Sequence, residues 1–107
     1  MSQPDFLTLA KHFGFRREGL ANAFSGLVLE MGDTSEYTLM REDAPTAPTG
    51  LRDRASLAYH ANGELERLYH GTAAALLAFL HAKAEEPLPD ALQPFASPDL
   101  VEEIHVA

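Results

Sequence analysis

The sequence predicts an α+β domain: a small antiparallel sheet of four strands in two hairpins, with an N-terminal helix and a long helix packed on it. Three observations predict it. Phe6, Leu9, Ala10 and Phe13 recur at helical spacing, two pairs of β-rich segments flank turn-forming residues, and an almost wholly apolar segment opens at Ala73. With 107 residues, 46% hydrophobic and 22% charged, the chain has the size of one hydrophobic core and the composition of a folded protein. The expected division is a single domain over 1–86 and a proline-rich extension over 87–107, packing on the body or on a partner.

Pro4 and Asp5 suit the first turn of a helix running to Phe13, and Gly14 suits its C-terminal cap. The following FRREGLANAFSG has Leu20 and Phe24 at helical spacing but is bracketed by Gly19 and Gly26, so it reads as a short helical turn or loop. Two strands over 27–31 and 36–41 come next, joined through Gly32-Asp33-Thr34-Ser35. Pro45, Pro48 and Gly50 then make residues 42–50 an irregular, exposed connection.

The second hairpin, strands 55–60 and 64–69, turns at Ala61-Asn62-Gly63. A two-residue Asn62-Gly63 turn would set His60 opposite Leu65 and Tyr59 opposite Glu66, mixing polarity on both faces. A three-residue loop with Gly63 as a bulge sets Tyr59 opposite Leu65 and His60 opposite Glu64. That register sorts Leu57, Tyr59, Leu65 and Tyr69 to one face, and it is preferred. Thr72 caps a helix from Ala73 to about Lys83, whose core stripe is Ala73, Leu76, Leu77, Leu80 and Ala84.

Phe79 and several alanines fall outside that stripe, so the long helix needs cover on more than one side. A twofold homodimer would supply it, and so would the tail with Leu88, Leu92, Phe95 and Ile104. Prolines at 87, 89, 94 and 98 make that tail extended, and Ser97-Pro98-Asp99 reads as the start of a short last helix. The expected core is Phe6, Leu9, Phe13, Leu27, Leu29, Leu39, Leu57, Tyr59, Leu65, Leu76, Leu77 and Leu80.

Composition narrows function by exclusion. The net charge of −8 is concentrated in the later part of the chain, where Lys83 stands alone against Glu85, Glu86, Asp90, Asp99, Glu102 and Glu103. Such a chain is repelled by nucleic-acid phosphates and by anionic membranes, so neither is an expected partner. There is no cysteine, no signal-peptide pattern, and no apolar run longer than Ala73 to Leu80, from which a cytoplasmic location is expected.

No GxSxG elbow, GxGxxG or phosphate loop, HExxH or EF-hand loop occurs. Ser56 and His60 share a strand face but stand four residues apart, too far for a hydrogen bond. The five histidines, at 12, 60, 70, 81 and 105, have neither HxH nor HxxxH spacing and read as surface or boundary imidazoles, so no metal or other cofactor is expected. Arg16-Arg17, with Arg52 and Arg54, could hold an anion but also relieve the acidic self-repulsion.

A non-catalytic module that binds another protein, as adaptor, regulator or inhibitor, is therefore the expected function. Its candidate partner-binding residues are Glu30, Glu36, Glu64, Glu66, Phe79, Glu102 and Glu103. Two alternatives stand beside it. One is an acidic mimic of nucleic acid that inhibits a nucleic-acid-handling complex such as a defence nuclease, through acids arrayed on the strands. The other is a small-ligand carrier or enzyme with a pocket between sheet and helix, lined by Tyr59, Arg67 and Tyr69.

Overall fold

The computed structural model describes residues 5–19, 25–32, 34–43, 46–96 and 101–104, the side chains of 18, 19, 25 and 101–104 excepted. Helix α1 (Phe6–Phe13) leads into strands β1 (Arg16–Gly19), β2 (Ser25–Glu30), β3 (Ser35–Arg41), β4 (Arg54–Ala61) and β5 (Glu64–Thr72). Helix α2 (Ala73–Lys83), a 3-10 helix (Asp90–Phe95) and strand β6 (Val101–Ile104) complete the chain. The sheet is antiparallel throughout, and its order β1-β2-β3-β4-β5-β6 repeats the chain order.

The α+β class, the two hairpins, the N-terminal helix and the long later helix are as expected, but the sheet is wider than four strands. Both additions are edge strands whose sequences hide them. RREG in β1 is too polar and short to show alternation, and it stands where a short helical turn or loop was expected after Gly14; residues 20–24 lie outside the described part. VEEI in β6 stands where a short last helix was expected, and the Ser97-Pro98-Asp99 signal lies outside the described residues.

Local chemistry fixes both helix starts. The Asp5 carboxylate accepts from the Thr8 N–H at 2.8 Å, and the Thr72 hydroxyl accepts from the Ala75 N–H at 3.2 Å. Two further amides at the start of α2 donate to the connection before β4, Ala73 to the Asp53 carbonyl at 2.8 Å and Ala74 to the Leu51 carbonyl at 2.9 Å. That connection is not the loose segment its prolines suggest. Ala47 and Pro48 are buried, and the Asp53 carboxylate ties the turn by accepting from the N–H groups of Gly50 and Thr49 at 2.9 and 3.1 Å.

One face of the sheet carries the core. Leu27, Leu39, Leu57 and Tyr69 form one cross-strand row, and Leu29, Tyr37, Tyr59 and Arg67 the next. They meet Phe6, Leu9 and Ala10 of α1, Leu76, Leu77 and Leu80 of α2, and Leu92 of the 3-10 helix. Phe13 and Tyr59, expected in the core, are only partly buried against it.

The hairpin register departs from the preferred one. Asn62 and Gly63 both have positive φ, 56° and 80°, and form a two-residue turn with Ala61 opposite Glu64 and His60 opposite Leu65. The bulge lies farther down, where the register shifts between Tyr59 and His60 and leaves Glu66 as the extra residue. That shift restores Tyr59 to Arg67 and Leu57 to Tyr69, so the polarity conflict is cured by a bulge in β5 instead of a longer loop. In consequence Leu65, expected in the core, stands on the opposite face.

Helix α2 is apolar nearly all round, and eight of its residues are buried. Its cover comes from the chain itself. The 3-10 helix lies against α2 with Leu92 fully buried, and the Arg52 guanidinium sits 5.4 Å over the Phe95 ring, joining that helix to the connection before β4. Residues 88–95 and α1 thus cover part of the apolar surface of α2.

Candidate functional site

The second face of the sheet carries no described helix: α1, α2 and the 3-10 helix all contribute to the cluster on the first. Strand alternation builds three rows on this open face. Glu30, Glu36, His60 and Leu65 form one; Arg16, Val28, Thr38, Ala58 and Leu68 the second; Met40, Ser56 and His70 the third. Met40, Ala58, Leu65 and Leu68 are half-buried, and none belongs to the core cluster.

Val28 is buried in the middle row, whereas the short side chains of Thr38, Ala58 and Ser56 leave the face hollow. A depression of about 380 Å³ is lined by Glu36, Thr38, Met40, Ser56, Ala58, His60 and Gly63. A second, of about 540 Å³, lies at the turn end between Glu30, Ser35, Glu36, His60 and Asn62. Glu36, His60 and Gly63 line both.

The electrostatics of this end are unbalanced. Glu30 and Glu36 stand directly opposite each other, and like charges so placed repel. Glu30 is ion-paired with Arg16, whereas Glu36 has no hydrogen-bond or ion-pair partner among the described residues. His60, opposite Glu36 on its other side, has its Nδ1 withdrawn from water without a partner.

The other candidate partner-binding residues do not gather here. Glu64 points to the first face, because His60 and Leu65 hold the second; Glu66 is the bulge residue, and both are exposed. Phe79 is half-buried against the core, 4.9 Å from the Tyr69 ring and with the Lys83 ammonium 5.8 Å over its own. Glu102 and Glu103 stand opposite Tyr69 and Leu68 in β6, and their side chains lie outside the described part.

One constellation escaped sequence reasoning because it joins three segments. Ser56 stands directly opposite His70, whose Nδ1 lies 3.0 Å from a Glu42 carboxylate oxygen; Arg54 approaches the same carboxylate at 3.7 Å. Carboxylate, imidazole and hydroxyl follow the order of a nucleophilic relay. No hydrogen bond joins Ser56 to His70, and neither depression includes His70. The Glu42–His70 and Glu42–Arg54 contacts tie the 42–53 connection to β5 and β4.

Arginines expected as a possible anion site are likewise dispersed, Arg16 to Glu30, Arg54 to Glu42 and Arg52 to Phe95. Among the described residues no group of three potential metal ligands occurs, and no helix is long and apolar enough to cross a membrane. His81, expected at a surface or boundary, is buried instead between α2 and Phe13. A third, smaller depression of about 190 Å³ opens beside it between Phe13, Leu29, Met31, Tyr37 and Leu80. Met31, 52% exposed, is the one large exposed hydrophobic residue among those described.

Comparison with protein-family models, with curated proteins and with solved structures gave no match.

Proposed function

We propose that the chain is a non-catalytic, acidic protein-binding module whose docking surface is the open face of the sheet. The observation that carries this reading is the half-buried apolar group Met40, Ala58, Leu65 and Leu68, which stands outside the core cluster on the face opposite every described helix. Apolar residues grouped under a polar rim are the usual composition of a protein interface. Glu30 and Glu36 supply the rim at the turn end and Glu42 with His70 at the other.

Charge mimicry of nucleic acid has less support. A mimic needs several carboxylates spaced along one surface, whereas Glu30 is ion-paired with Arg16 and Glu64 faces the other way. The test is affinity capture from host lysate with the native chain, Ala58→Arg on the open face, and Lys83→Ala on α2. A partner held by the native chain and by Lys83→Ala, released by Ala58→Arg, and retained in high salt is the expected result. Equal capture by all three proteins overturns the reading, and release by salt alone would favour mimicry.

A further inference from the structure

The docking reading leaves the chemistry of the partner open, and the turn end of the open face narrows it. Two carboxylates, Glu30 and Glu36, are opposed across β2 and β3, and Arg16 pairs with Glu30 from β1, on the side away from Glu36. Glu36 is half-buried and has no partner of its own among the described residues. Leading away from it is a trough with Thr38 and Ala58 at its floor and Met40 along its side. A polar end with an unmatched negative charge, continued by an apolar trough, is the negative image of a long side chain with an aliphatic stem and a cationic head.

We infer that this trough takes an arginine side chain from a basic segment of the protein partner, with the guanidinium at Glu36 and the stem along Met40 and Ala58. Arginine fits better than lysine because its planar fork can serve a carboxylate with two parallel N–H bonds and still reach a hydroxyl such as that of Thr38. An anionic ligand is excluded at this end by Glu30 and Glu36 themselves, and the missing third ligand disfavours a metal ion. The inference rests on the open face being the docking surface and adds only what docks there.

The experiment is an amide-resolved NMR titration of the full chain with acetyl-Gly-Arg-Gly-amide and with its citrulline counterpart, which keeps the shape and removes the charge. Saturable shifts centred on residues 36, 38, 58 and 60 are expected, with the citrulline peptide weaker by about tenfold or more. Glu36→Gln should lose binding by a similar factor, while Glu85→Gln, of equal charge change on the exposed turn after α2, should stay within about twofold. Equal weakening by both substitutions, equal binding of both peptides, or no saturable shift overturns the inference. Glu36→Gln removes a repulsion and is expected to fold, which an unchanged or raised Tm verifies. In the capture experiment, a partner lost with Ala58→Arg but kept with Glu36→Gln would refute the arginine and leave the docking face standing; one kept by both would remove the face itself.

Discussion

The imidazole of His81 lies against the ring of Phe13, with centroids 4.5 Å apart and planes inclined by 54°. This contact joins the last turn of α2 to the last turn of α1. Neither ring nitrogen of His81 has a hydrogen-bond partner, and the nearest carboxylate oxygen, from Glu86, is 4.0 Å away. Burial therefore holds the imidazole below its ordinary pKa of 6.5, with Glu86 and then the Pro87 backbone opposing the shift less strongly.

The sign of the pH dependence follows. Well above 6.5 the ring is neutral in both folded and unfolded chains, and its burial adds no pH-dependent penalty. As pH falls below that value the unfolded chain takes up the proton first, so stability drops until the depressed folded pKa is passed. The expected outcome is a Tm that falls between pH 7 and pH 5 in the native chain and falls less in His81→Leu. Parallel Tm profiles from differential scanning calorimetry would refute it.

A second acid-sensitive element acts at lower pH. Asp53 is held below the ordinary 3.8 by the backbone N–H of Gly50 and then by that of Thr49, and its contribution is lost as pH falls through the depressed value. Asp53→Ala should cost about 1–2 kcal/mol at neutral pH, measured by urea unfolding, because it frees two backbone donors beside the α2 N-terminus.

At the second hairpin, Gly63→Ala tests the turn. A Cβ there would meet no atom within 4 Å, so any loss comes from the backbone at φ +80° and not from a clash. A loss of about 1 kcal/mol is expected. A stability equal to or above that of the native chain would mean that the left-handed conformation is not held in solution.

Leu92→Ala tests the cover over α2. Leu92 is 0% exposed, and truncation should cost about 2–5 kcal/mol. The distinguishing readout is association: with the 3-10 helix loosened, the apolar outer side of α2 should drive concentration-dependent self-association visible by light scattering. A destabilised variant that remains as monodisperse as the native chain would show that residues 88–95 are not what shields α2.

Helices were the most legible part of the sequence. Asp5, Gly14 and Thr72 act through their own backbone neighbours, so the ends of α1 and α2 can be read from a few adjacent letters. The central strands were legible for the same reason. β1 and β6 were not, because an edge strand takes its stability from a neighbour's hydrogen bonds and needs no apolar pattern of its own.

The face assignment differs at two residues, Leu65 and Glu64. Glu66 as a bulge moves Leu65 from the core side to the open side, and nothing in ELERLY distinguishes that from a regular strand. Much of the candidate site depends on this register and on cross-strand neighbours far apart in the chain. Glu30 and Glu36 were visible as acids; that they oppose each other, and that Glu36 stands opposite His60, required the pairing.

A sheet whose strand order repeats the chain order can be assembled as it is synthesised. Each of the first four pairings closes a short loop, so β1 to β5 can zip together while later residues are still being made. β6 breaks that rule, because it reaches β5 only after residues 73–100 have been added. Until then the outer edge of β5 is an unpaired template, open to strand exchange with another copy of the chain.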